Sequence, residues 1–198
     1  MTPRFPIDEA PDSAARQTME DALTKMHGGA PPFQWIEDDG RSLIGCYAPL
    51  CYTPDVAKQF FEVAKSVYGP TLVKPRNREL AVLGLASVLD VPYIDYCHRP
   101  LGIKFGLTNE QWDDGLTGKV PRDLNDEEAM AYRLGRILTQ LTGPLDDATW
   151  QEATSKMEKT EIVGIIHTVA GYRWVALLDF ANGEDRRWSS LPPAPAHS

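Results

Sequence analysis

The chain has 198 residues, 42% of them hydrophobic and 24% charged, which suits one soluble domain with its own core. Its net charge of −8 leaves little to neutralise phosphates, so nucleic acid and anionic membrane surfaces are not expected as partners. No apolar run approaches the roughly 20 residues that span a bilayer, and "MTPRFPIDEAPDSAARQ" has no apolar signal core, so a cytoplasmic protein is expected.

Residues 1–12 carry Pro3, Pro6 and Pro11 and read as a flexible extension, as does the Pro-rich tail 184–198, in which Trp188 could dock onto a neighbour. Residues 13–183 read as one domain. From Ser13, Met19, Ala22, Leu23 and Met26 recur at helical spacing until "HGG" stops the run. A loop rich in Gly, Pro and aromatics follows to residue 52. In "TPDVAKQFFEVAKSVYG", Thr53 and Pro54 open a helix whose apolar face is expected to be Val56, Phe60, Val63, Ala64 and Val67.

Pro75 opens "RNRELAVLGLASVLD", whose second half is apolar all round and therefore central. The next helix starts near Pro92 and runs towards Gly106, with Pro100 expected to bend or break it. "TNEQ" from Thr108 and "NDEE" from Asn125 read as capping boxes. The second opens an amphipathic helix facing the core with Ala129, Met130, Leu134, Ile137, Leu138 and Leu141. Asp146 or Asp147 caps a short helix, and Thr160 opens the last one, "EIVGIIHTVAGYRWVALLDFANG", which should be central or line a subunit interface. Alternation at period two is nowhere convincing. The expected fold is all-α, a bundle of about seven or eight helices.

This order of landmarks resembles a known family. "IGCYAPLCYTPDVA", "PRNRELAVLGLASVLDVPYIDYCHRPLGIKFGLTNEQW" and "EIVGIIHTVAGYRWVALLDF" resemble the entry loop, signature region and last core helix of carboxymuconolactone decarboxylase-like proteins, of the alkylhydroperoxidase D-like superfamily. The resemblance covers most of residues 40–183. It implies an alkylhydroperoxidase D-like bundle that assembles as a trimer or hexamer. It also directs attention to His98, the signature histidine. The decarboxylase branch has a glutamate four residues earlier, where this chain has Ile94. The peroxidase branch has CxxC, whose slots here hold Val91 and Ile94.

Within "YIDYCHRP", Asp95 and His98 are three residues apart and share a helix face. Asp95 is thus the expected partner that orients the imidazole and raises its basicity; the plainer reading is a solvated surface pair. Cys97 lies about 100° round the helix from His98 and reads either as a small buried hydrophobe or as a redox thiol. Cys46 and Cys51 read as buried thiols. Tyr96 and Tyr93 suit the core, with Tyr96 also a candidate donor to an oxyanion. Tyr47 is a substrate-contact candidate, because the resemblance places its loop over the pocket. His167, in an apolar helix, reads as a core histidine or a second polar group facing substrate. Arg173 needs an anion, for which Glu79 is the candidate, while Arg76 and Arg78 read as salt-bridge residues.

The expected function is a cofactor-independent lyase or isomerase for a carbonyl-activated acid or lactone, with His98 moving the proton. No metal or organic cofactor is expected: no CxxC and no zinc-like Cys/His spacing occurs. Two other readings stay open. One is a thiol-dependent hydroperoxide reductase using Cys97 or Cys51. The other is a non-catalytic oligomeric binding protein.

Overall fold

A computed structural model of the chain describes residues 4–11, 14–38, 40, 42–69 and 71–183; the C-terminal tail, including Trp188, lies outside them. The fold is all-α, as expected. The helices are α1 (Ala15–His27), α2 (Tyr47–Leu50), α3 (Pro54–Val67), α4 (Pro75–Ala86), α5 (Pro92–Lys104), α6 (Asn109–Leu116), α7 (Asp126–Gln140), α8 (Asp147–Lys156) and α9 (Lys159–Asn182). Among the described residues no β-strand occurs, only an isolated antiparallel bridge between Ile36 and Leu43. Where the sequence suggests one domain over 13–183, the chain groups into two compact units. Of the described residues, one unit holds those up to 66 together with 174–183, and the other holds those from 67 to 173.

In the first unit, α1 buries Ala15, Met19 and Leu23, one residue per turn, and ends where Gly28 adopts a left-handed φ of 69°. The α3 face differs from expectation. Ala57 and Phe61 are buried, while Val56 and Val63 are exposed. The helix carries two apolar rows, and the row facing inward is the one that stacks Phe61 on Tyr47. Residues 4–11, read from sequence as an extension, make defined contacts. The Tyr52 hydroxyl donates to the Pro6 carbonyl at 2.7 Å, and the Phe5 and Tyr52 rings meet edge-on.

In the second unit, α4 is buried from Asn77 to Leu85 and packs chiefly on α7. Two glycines permit that closeness. A Cβ on Gly84 would strike the Tyr132 carbonyl oxygen, and one on Gly135 the Ala81 carbonyl, each well inside van der Waals contact. Both predicted capping boxes form, at Thr108/Gln111 and Asn125/Glu128, and Asp146 caps α8. Helix α5 continues across Pro100, since one missing backbone bond does not end a helix held on both sides of the proline. The base of α4 is tied down electrostatically. Lys74 and Asn77 both donate to Glu127, Asn77 also donates to Glu161, and Arg76 Nε reaches Glu128 at 2.7 Å.

Helix α9 corrects two expectations. It is not buried on most sides: Val163, Ile166, Trp174, Leu177 and Phe180 are all exposed. At 24 residues it is also long and apolar enough, by length and composition, to cross a membrane. In the sequence, Glu161, Arg173 and Asp179 interrupt this apolar segment.

Candidate functional site

The second unit contains a chain of three polar side chains from three helices. Helix α4 begins with Pro75 at its first turn, which places Arg78 and Glu79 one turn in, where the helix enters the core. Glu79 is fully buried, an arrangement that carboxylates adopt only when paired. Its Oε2 lies 2.8 Å from His98 Nδ1, brought in by α5. On the far side of the ring, Nε2 lies 2.7 Å from the hydroxyl of Tyr172, carried by α9. His98 is 6% exposed, so both ring nitrogens are committed to protein partners.

Glu79 Oε1 is held separately. Arg78 Nε donates to it at 3.2 Å, and Arg78 NH1 donates to the Tyr68 carbonyl at 3.1 Å. The guanidinium lies over the Tyr68 ring, 4.3 Å from its centroid, with the Phe105 ring 5.8 Å away. The Tyr68 ring also lies near both His98 and Tyr172, at 6.5 and 6.4 Å between centroids. The His98 and Tyr172 rings stand edge to face at 4.7 Å.

This arrangement has definite proton chemistry. In the tautomer that suits a carboxylate partner, the imidazole carries a proton on Nδ1 and donates it to Glu79. Nε2 then accepts from the Tyr172 hydroxyl. A phenol that donates inward can in turn take up a proton at its oxygen. Chemically, three groups so linked can take up a proton at the Tyr172 oxygen and pass one to His98 Nε2, while Nδ1 stays hydrogen-bonded to Glu79.

The residues expected from sequence fare unevenly. His98 lies at the centre, but Asp95 does not orient it. Asp95 Oδ1 accepts from Trp112 Nε1 at 2.7 Å and pairs with Arg99 at 3.3 Å. Shared helix spacing allowed the Asp95–His98 contact, yet α6 and α4 each supplied a better partner. Glu79 is engaged by Arg78 and His98 rather than by Arg173, which lies on the exposed side of α9. Tyr96 is half-buried and stacks on Tyr93 at 5.9 Å, two residues round the helix from His98.

His167 is exposed rather than in the core, and five residues from Tyr172 it points about 140° away round α9. Tyr47 belongs to the first unit, where it starts α2 and is buried among Phe33, Trp35 and Phe61. Cys97 is half-buried on α5, and Cys46 and Cys51 are buried; all three lie among the described residues and none forms a disulfide. Burial pushes the Cys51 thiol up to about 11.

Sequence reasoning missed Glu79 as the histidine's partner and Tyr172 altogether. The available signal was an Arg-Glu pair in an otherwise apolar helix, which can be buried only against a third polar group. No family model matches the chain, and no curated protein or solved structure does either.

Proposed function

We propose that this protein is a cofactor-independent lyase or isomerase of the carboxymuconolactone decarboxylase-like kind, acting on a carbonyl-activated acid or lactone through the Glu79–His98–Tyr172 relay. The observation that carries this reading is the position of His98 between a fully buried carboxylate and a tyrosine hydroxyl. It supplies the carboxylate–histidine pair that Ile94 removes from the signature helix, with the carboxylate coming from α4.

In the isomerase direction, a carbon-bound proton next to a carbonyl passes to the Tyr172 oxygen as the phenol's own proton moves to His98 Nε2. The bonding electrons shift into the enolate, whose negative charge offsets the transient imidazolium, and Nδ1 keeps its hydrogen bond to Glu79. Returning the proton to a different carbon completes the isomerisation. In decarboxylation, CO₂ leaves with its bond electrons delivered to the enolate, and Tyr172 protonates the carbon. A further proton from water restores the relay.

The test is deuterium exchange and CO₂ release across a panel of β-keto acids and lactones, comparing the native chain with His98→Ala and Tyr172→Phe. Turnover that both substitutions reduce supports the reading; turnover indifferent to both overturns it.

We also propose that the chain forms a homo-oligomer through α9. Supporting this are the large apolar side chains that α9 exposes at positions 163, 166, 174, 177 and 180.

A further inference from the structure

We infer that Arg78 is a positioning residue that sets the direction of the proton relay, holding His98 in the form that accepts from Tyr172. This rests on reading Glu79–His98–Tyr172 as the proton-transfer device of the site.

Arg78 is 4% exposed, so its charge acts where water screens it poorly. Its Nε touches Glu79 Oε1, the oxygen that His98 does not use. With Arg78 present, the carboxylate is balanced before the histidine is considered. A second proton on the imidazole would then leave a net positive charge in the buried cluster. Without Arg78, the carboxylate would be the unbalanced charge, and a doubly protonated imidazole would neutralise it. Removing the guanidinium therefore raises the proton affinity of His98.

The consequence is a reversal. A ring protonated at both nitrogens donates to Tyr172 instead of accepting from it, and Tyr172 can no longer pass its proton inward. Other charged or titratable groups facing this cluster are Glu79 on α4, Tyr172 on α9 and Tyr68 in the turn after α3. Asp95, one turn earlier on α5, is engaged by Arg99 and Trp112. Arg76, the neighbouring cation on α4, is paired with Glu128. Among these contacts, Arg78 is the cation that touches the relay carboxylate.

The geometry also explains why an arginine stands here. One guanidinium reaches the Glu79 oxygen with Nε and the Tyr68 carbonyl with NH1, while its flat face covers the Tyr68 ring. A lysine keeps the charge and loses the two-point hold.

The test needs no substrate. Ring-nitrogen NMR of the full chain, labelled at histidine, follows protonation of His98 against pH in the native protein, Arg78→Met and Arg78→Lys, with His98→Ala assigning the signal. Arg78→Met is expected to move the half-protonation point upward by at least about one pH unit, a tenfold gain in proton affinity. Arg78→Lys should stay much closer to the native value. A shift below about 0.3 units in folded Arg78→Met overturns the inference. So does an equal shift in the Met and Lys variants, which would mark a structural role. Should Arg78→Met fail to fold, Arg78→Gln removes the charge while keeping a polar contact and is read by the same criteria. Failure of the proposed reaction leaves this titration unaffected, so the two ideas fall separately.

Discussion

The Tyr172 hydroxyl lies 2.7 Å from His98 Nε2, while the other ring nitrogen is held by Glu79 at 2.8 Å. The outer end of the relay thus comes from α9 and its inner end from the most deeply buried helix of the second unit. Tyr172→Phe removes the proton and keeps the ring. Turnover on any responsive substrate is expected to fall by about 10²–10⁴-fold. Stability should fall by only about 1 kcal/mol, the net worth of one hydrogen bond. Kinetics beside a thermal melt separate the two effects, and a variant with native turnover would remove Tyr172 from the chemistry.

Glu79 should matter to folding as well as to chemistry. Glu79→Ala leaves the Arg78 charge buried without its carboxylate and is expected to cost about 3–5 kcal/mol in denaturant unfolding. Glu79→Gln retains hydrogen-bonding oxygen and should lose less stability, while still losing proton transfer. An alanine variant as stable as native would mean that Arg78 finds another anion at no cost.

The α4–α7 crossing predicts a sharp contrast among glycines. Gly135→Ala and Gly84→Ala each force backbone apart and should cost about 1–3 kcal/mol or more. Gly143→Ala places its methyl where nothing lies within 4 Å and should stay within about 0.5 kcal/mol of native. Chemical denaturation midpoints for the three variants decide the matter.

The thiols should differ in reactivity. With its thiol pushed up to about 11 by burial, Cys51 presents only about one thiolate in a thousand at pH 8. Because burial disfavours the charged form, alkylation should accelerate with rising pH up to that value and become fast on unfolding. Half-buried Cys97 is expected to react first in the native chain. Mass spectrometry after iodoacetamide treatment checks the order, and a native Cys51 that matches Cys97 would contradict it.

The exposed α9 face gives a last test. Leu177, 67% exposed, should be central to subunit contact, so Leu177→Asp is expected to convert an assembled native chain to monomers by light scattering. A native chain that is already monomeric at micromolar concentration would dismiss the assembly.

Much of the helical framework was legible because its signals are local. Thr108, Asn125 and Asp146 cap helices through contacts within three residues, and Pro54, Pro75 and Pro92 mark helix starts. The all-apolar stretch of α4 reads directly as burial. Orientation was harder. Helix α3 carries two apolar rows, and nothing within its own sequence tells which one meets Tyr47. The site was legible only at His98, since its partners Glu79 and Tyr172 are joined to it by tertiary packing. Asp95 satisfied the same helical spacing, but the sequence does not show that Trp112 would claim it.

The paired glycines of α4 and α7 also bear on how this site can change. Where two backbones touch, neither helix can slide or rotate without a collision, so Glu79 is carried on an immovable wall. Tyr172 rides on α9, whose apolar residues Val163 and Ile166 are exposed in the single chain. A laboratory search for altered behaviour of the proposed relay therefore has its best starting point on the α9 side rather than the α4 side.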